Sequence, residues 1–417
     1  MDKIRIKGNA NLLGSINICG SKNAALPVLV SSLLSKENLE LNNIPKLNDI
    51  DSMIELLRGF GVKIFKKSNS LILNSENIIN KTANYDLVRK MRASILVLGP
   101  LLSRFKEVKI SLPGGCAIGT RPIDIHLDSL KKLGVNFELK NGFVIGRIKD
   151  KLIGSEVNLS FPSVGATENL LMAASLAEGK TVIRNAAKEP EVVDLAKCLI
   201  SMGASIFGEG TDLITIEGVK YLKKSSHTII PDRIVAGTFL IAAVMLNKKF
   251  ILNNLISDHL KSLINILKNM GANIIIDKNS ITVNQNKELI GAKIQTAPYP
   301  GFPTDLQAQM MALMSIVKGS SIIIEKIFEN RFMHVAELNR LGANIKIKKD
   351  TAYIQGERKF VGAPVMASDL RASVSLVLAG LCAEGETLIN RVYHLDRGYE
   401  KIEETLGKCG PKITREK

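Results

Sequence analysis

The chain has 417 residues, 46% of them apolar and 23% charged, and carries a formal net charge of +16. That length exceeds one ordinary core and implies two domains, while the apolar content excludes a disordered polymer. The longest apolar run, Thr238 to Leu246, is too short to span a membrane, and the alternating N-terminus has no signal-peptide core.

Five cysteines (Cys19, Cys116, Cys198, Cys382 and Cys409) are scattered without CxxC spacing. With five histidines and no HExxH pairing, they indicate neither a disulfide framework nor a metal site, and they suit a reducing cytoplasm. The positive charge is spread in ones and twos, as at Lys131-Lys132, Lys223-Lys224 and Lys248-Lys249. Attraction of small anionic substrates is the expected use of such a field, rather than a nucleic-acid surface.

In chain order, Ile4-Arg5-Ile6 alternates as a strand. A first apolar helix is expected from near Lys22. A second, with Met53, Leu56, Leu57 and Phe60 on one face, ends at Gly61 and leads into the alternating strand Val62-Lys63-Ile64. The same phrase then recurs. Apolar helices with polar starts are expected near Arg92, Thr167, Arg233, Asp305 and Asp369. Amphipathic helices end at Gly134, Gly203, Gly271, Gly342 and Gly410. The anchor glycines lie 68 to 73 residues apart. Ala343-Asn344-Ile345-Lys346-Ile347-Lys348 reads as a half-buried strand, and the alanine-rich stretch Ala372 to Ala383 as a closely packed helix.

Each copy is thus a β-α-β-α-β-β unit, with helices inside and sheets outside, and there are six copies. The sixth stops soon after Ile413 and lacks a strand, which the N-terminal strand is left over to supply. The expectation is α/β architecture in two inside-out domains of three units each. Residues 21–229 form one, and residues 1–20 plus 230–417 the other. Crossovers fall near Asn17–Ser21 and Ser226–Asp232. A plain solenoid is the alternative.

One loop stands apart from the repeat: Leu112-Pro113-Gly114-Gly115-Cys116-Ala117-Ile118-Gly119-Thr120-Arg121-Pro122. Its glycines permit close approach of backbone to a ligand. Arg121 offers a planar fork of donors to phosphate or carboxylate, and its charge favours a reactive Cys116 thiolate. Taken alone, Cys116 better suits a small buried packing residue beside a surface turn.

Repeats and loop together resemble the enolpyruvyl transferases, over essentially the whole chain. The motifs are Gly20-Ser21-Lys22-Asn23-Ala24-Ala25, Met91-Arg92-Ala93-Ser94, the Cys116/Arg121 loop, Ser163-Val164-Gly165-Ala166-Thr167-Glu168-Asn169 and Pro231-Asp232-Arg233. The second half adds Phe302-Pro303-Thr304-Asp305-Leu306-Gln307, Phe328-Glu329-Asn330-Arg331-Phe332, Asp369-Leu370-Arg371-Ala372-Ser373 and His394-Leu395-Asp396-Arg397-Gly398-Tyr399. The resemblance implies an active site in the interdomain cleft, transfer of the enolpyruvyl group of phosphoenolpyruvate to the 3-hydroxyl of UDP-N-acetylglucosamine, and loss of phosphate. That is the first committed step of peptidoglycan synthesis, in the cytoplasm and with no metal or organic cofactor. The chain is expected to act as a monomer.

By the same resemblance, Cys116 supplies a proton to the enol carbon, can add covalently to phosphoenolpyruvate, and is a target of fosfomycin. Asp305 is the base for the sugar hydroxyl, and Asp369 orients the site. Lys22, Arg121, Arg371 and Arg397, with Arg92, meet the anionic groups. Asn23, Ser163, Val164, Gly165 and Phe328 contact the sugar nucleotide. From the residues alone, Asp305 with Thr304 also reads as a helix N-cap, and Phe328 as a core residue. Other functions remain open at this point: a 5-enolpyruvylshikimate-3-phosphate synthase-like transferase, a basic repeat protein binding nucleic acid, and an inactive paralogue.

Overall fold

The computed structural model describes residues 2–67, 70–112 and 123–417. Among these, the strands form six four-stranded sheets with one shared wiring. The sheet that follows residue 82 shows it. Strand Thr82–Ala83 lies parallel to Glu107–Ser111. That strand pairs antiparallel with Phe143–Arg147, with Glu107 opposite Arg147, and Phe143–Arg147 pairs antiparallel with Asn136–Lys140. Every sheet has this one parallel edge and two antiparallel pairs. The parallel step needs a crossover, and a helix supplies it.

Each unit holds two helices of different character. One is buried on every side: Arg233–Leu246 from Ile234 to Met245, and Leu370–Cys382 from Leu370 to Leu381. Small residues let such helices approach closely; a Cβ on Gly237 would lie 2.6 Å from Leu306 Cδ1. The other helix is amphipathic. In Asn48–Phe60 the core takes Ile50, Met53, Leu57 and Phe60, while Asp51, Glu55 and Arg58 face water. Each such apolar side chain contributes roughly 1.5–3 kcal/mol by burial. The strands alternate accordingly: in Lys3–Lys7, Ile4 and Ile6 are buried.

The amphipathic helices all end at a left-handed glycine. Gly61, Gly134, Gly203, Gly271, Gly342 and Gly410 have φ between +96° and +111°. At Gly61 the amide donates to Arg58 O at 2.9 Å and the next amide, of Val62, to Leu57 O at 3.1 Å, closing the last turn.

The described residues divide into two compact units, one of 2–19 and 231–417 and the other of 20–112 and 123–230. Within the first, Lys3–Lys7 lies between Glu386–Asn390 and Ile413–Glu416, antiparallel to both, and Ser15–Asn17 lies parallel to Phe250–Asn253. Within the second, Ser225–Thr228 lies parallel to Asn38–Asn42. Two expectations about helix starts change. The helix expected from Thr167 begins at Val164, three residues earlier, because Ser163 caps it by accepting from Ala166 N at 3.3 Å. Asp305 is not a cap: it sits inside a tight helical turn, Thr304–Leu306, that precedes the helix Gln307–Ile316.

The glycines allow a graded test. A Cβ on Gly271 would lie 2.5 Å from Glu288 O, whereas one on Gly203 meets nothing within 4 Å. Both residues require positive φ, so Gly203→Ala is expected to cost about 1 kcal/mol and Gly271→Ala about 2–3 kcal/mol. Urea midpoints compared with the parent chain read the difference.

Candidate active site

In the unit of residues 20–230, three helical starts carry the predicted residues. Ser21 caps Lys22–Ser31 by accepting from Ala24 N at 3.3 Å, which sets Lys22 and Asn23 in the first turn. Lys22 is buried there, and its Nζ donates to Asp49 Oδ2 at 3.1 Å. Removing a lysine from water is tolerable only with such a partner. Arg92 opens the tight turn Arg92–Val97, which packs against both Lys22–Ser31 and Val164–Ala174. Ser163, Val164 and Gly165 form the start of the latter helix, an end that favours anions. Cys116 and Arg121 lie outside the described residues.

His126, to which the sequence alone gave no role, joins two of these starts. Its Nδ1 takes a hydrogen bond from Asn169 Nδ2 at 2.9 Å, and that amide nitrogen also donates to Ile95 O at 3.2 Å while Asn169 Oδ1 accepts from Gly99 N at 2.9 Å. The network assigns the ring proton to Nε2. A Cβ on Gly165 would lie 2.9 Å from the His126 ring, so the helix start needs glycine there. Burial pushes the His126 pKa down to about 4, and Arg92 adds to the shift. On the same helix, Glu168 is buried, and burial with nearby Glu191 and Glu189 holds its pKa well above the usual carboxylate range.

In the unit containing residues 231–417, Asp305 sits between two arginines. Arg331 Nη2 donates to Oδ1 at 2.7 Å, and Arg371 donates to Oδ2 from Nε at 3.1 Å and Nη2 at 3.0 Å. Both guanidiniums are buried, whereas the Asp305 side chain keeps 26% of its exposure and so stays reachable. Burial alone would lower the Arg371 pKa, but Asp305, Tyr399 and Asp232 outweigh it and raise it above the ordinary value. Asp369 caps Leu370–Cys382, its Oδ1 accepting from Arg371 N at 2.9 Å and Ala372 N at 3.1 Å.

Arg397 ends the turn Val392–Arg397, which packs on that helix. Arg397 and Asp369 both act on His394, whose pKa is lowered by burial and by Arg397, against the opposing pull of Asp369. Phe328 is half-buried, with the Arg331 guanidinium 5.5 Å from its ring centroid. In this unit Arg331 therefore touches Asp305 and Phe328, Asp305 also holds Arg371, Asp369 caps the helix that carries Arg371, and Arg397 acts with Asp369 on His394. The sequence alone gave Arg331 no role, although it lies in the Phe328-to-Phe332 motif. The arrangement keeps a reachable carboxylate in contact with two buried guanidiniums, so a candidate base and fixed cations lie together.

A family model described as EPSP synthase (3-phosphoshikimate 1-carboxyvinyltransferase) matches residues 6–406. A UDP-N-acetylglucosamine 1-carboxyvinyltransferase of Granulibacter bethesdensis is 52% identical over 417 residues, covering 100% of this chain and 99% of that protein. Another, of Azorhizobium caulinodans, is 50% identical over 426 residues, with coverage of 100% and 99%. Among solved structures, the enolpyruvyl transferase NikO from Streptomyces tendae superposes with a TM-score of 0.91 at 23% identity, over 99% of this chain and 98% of that one. An EPSP synthase from Acinetobacter baumannii gives 0.78 at 18% identity, over 100% of both. The two structures share the fold.

The His126 network makes a pH prediction. An unfolded histidine takes a proton near 6.5, which the folded His126 resists until about 4. Its contribution to stability is therefore complete above pH 6.5 and is lost as pH falls towards 4. In His126→Gln, the stability lost between pH 7 and pH 5 should shrink by about 2 kcal/mol relative to the parent chain. Urea unfolding at the two pH values, followed by a probe in the unit of residues 20–230, measures it.

Proposed function

The chain belongs to the EPSP synthase family of enolpyruvyl transferases, and from that premise we propose that it moves the enolpyruvyl group of phosphoenolpyruvate to the 3-hydroxyl of UDP-N-acetylglucosamine, releasing inorganic phosphate. This is the first committed step of peptidoglycan synthesis, carried out in the cytoplasm. The observation that carries the choice of acceptor is end-to-end identity, at about half of all positions, with relatives named for that activity.

In this reading the sugar hydroxyl gives its proton to Asp305 as its oxygen bonds to the central carbon of phosphoenolpyruvate. The methylene carbon takes a proton from Cys116, giving a tetrahedral adduct. Loss of a proton from the new methyl group and departure of phosphate then restore the double bond. Two features support Asp305 as the base. Arg331 and Arg371 hold its carboxylate in place by hydrogen bonds, and part of its side chain remains open.

Phosphoenolpyruvate carries a phosphate and a carboxylate, so fixed cations stabilise both the bound substrate and the adduct. We assign this to Lys22, Arg92, Arg121, Arg371 and Arg397. A nearby guanidinium at Arg121 would favour the thiolate form that Cys116 needs for covalent addition. We assign Asn23 and the helix start Ser163-Val164-Gly165 to the sugar nucleotide, Phe328 to its acetamido group, and Asp369 to orientation. Asp369 is suited to this because it fixes the first turn of the helix that carries Arg371.

Phosphate release from phosphoenolpyruvate tests the reading. Release is expected with UDP-N-acetylglucosamine and not with shikimate-3-phosphate. Cys116→Ala and Asp305→Asn should each lower kcat by roughly 100- to 10,000-fold, the range for loss of an acid or base. Release with shikimate-3-phosphate alone would refute the acceptor assignment.

A further inference from the structure

Glu325 follows the strand Ser320–Ile324 and has no part in the chemistry above. Its carboxylate is buried, yet it accepts four hydrogen bonds from two separate stretches of chain and from its own loop. Oε1 accepts from Thr296 Oγ1 at 2.8 Å, Ile327 N at 2.8 Å and Phe328 N at 3.2 Å. Oε2 accepts from Thr304 Oγ1 at 2.8 Å. Thr296 Oγ1 in turn accepts from Lys326 N at 2.8 Å.

The segments joined here meet again a few residues on. Thr304 precedes Asp305, and the loop that Glu325 holds at Ile327 and Phe328 runs on to Arg331, which donates to Asp305. The described residues between Ile324 and Val335 form no strand or helix, so no ladder of backbone hydrogen bonds sets the position of Arg331. Glu325 closes one end of the Asp305–Arg331 pair where secondary structure does not. A carboxylate suits the task, since its two oxygens can accept about four hydrogen bonds.

We propose that Glu325 is a positioning residue for the transfer reaction, acting as a hydrogen-bond acceptor that fixes Arg331 and Phe328 relative to Asp305. This rests on the transferase reading above. The role is one of acceptance rather than charge. Glutamine retains an oxygen for the three Oε1 donors, and it turns an amide towards the Thr304 hydroxyl, which can accept in place of donating. Alanine removes all four bonds.

The test compares Glu325→Ala and Glu325→Gln in the full chain by steady-state phosphate release, with thermal melts of each. Glu325→Ala should lower kcat about 100-fold, with KM for both substrates changed far less, because misplacement of a reacting group acts on the chemical step. Glu325→Gln should recover kcat to within about 10-fold of the parent. Wild-type kcat in Glu325→Ala, or equal loss in both variants, overturns the proposal. If Glu325→Ala does not fold, Thr304→Val removes one arm alone, and unchanged kcat there overturns it. A parent chain inactive with UDP-N-acetylglucosamine sinks the transferase reading instead. Crystal structures of the variants then decide. An Arg331–Asp305 ion pair broken in Glu325→Ala and present in Glu325→Gln supports the proposal, and an ion pair that survives in Glu325→Ala refutes it.

Discussion

A helix that is apolar on every side can be hidden completely, and its remaining hydrogen-bonding demand falls on its two ends. In this protein five of the six repeats hold a helix of nearly this kind, and the N-terminal ends are where polar residues collect. Ser21, Ser163, Asp232 and Asp369 accept from first-turn amides, and Asp305 lies in the turn that leads into Gln307–Ile316. Lys22, Asn23, Gly165 and Arg371 follow within a turn of these starts, and Arg92 opens the turn that leads into the helix Leu98–Phe105. Burying the helices therefore concentrates polar and charged side chains at their ends. The same ends carry partial positive charge, which suits anionic substrates.

Charges placed at buried helix ends need partners, and the partners shape the chemistry. Lys22 is held by Asp49, and Arg371 by Asp305 with Tyr399 near the guanidinium. Arg331 completes the arrangement from an irregular loop. Removing one member of such a set leaves an uncompensated buried charge, which is far costlier than the net strength of the pair. The buried polar chain continues inward: Gln309 Nε2 donates to Asp305 O and to Thr238 Oγ1, and Thr238 shares a hydrogen bond with Tyr399 Oη at 2.9 Å. Asp305 is thus fixed through its backbone as well as its side chain.

The fold was legible because its unit repeats a local signal. A glycine after an amphipathic helix is required by backbone conformation, so Gly61 and its counterparts mark the period directly. The buried helices were legible from apolar content, and their starts to within about one turn. Arg331, Asp49 and His126 were less so. Each acts through a partner distant in sequence: Asp305 is 26 residues from Arg331, Lys22 is 27 from Asp49, and Asn169 is 43 from His126. No local pattern states which register brings those side chains together. Asp305 shows the ambiguity well, since an aspartate after a threonine at a helix start fits a cap, and only the folded chain shows the two guanidiniums that meet it instead.

The strand Lys3–Lys7 finds its neighbours in Glu386–Asn390 and Ile413–Glu416. During synthesis those residues follow the strand by about 380 to 410 residues, so at roughly 5–20 residues per second it waits on the order of 20–80 seconds for its partners. Within residues 20–230 the longest wait is shorter, that of Asn38–Asn42 for Ser225–Thr228, and Asn38–Asn42 already has an antiparallel neighbour in Ser70–Asn74. The nascent chain therefore finishes one unit while Lys3–Lys7 is still single. Lys3, Arg5 and Lys7, alternating with its two isoleucines, keep that strand a charged and poor template for aggregation until its sheet can close.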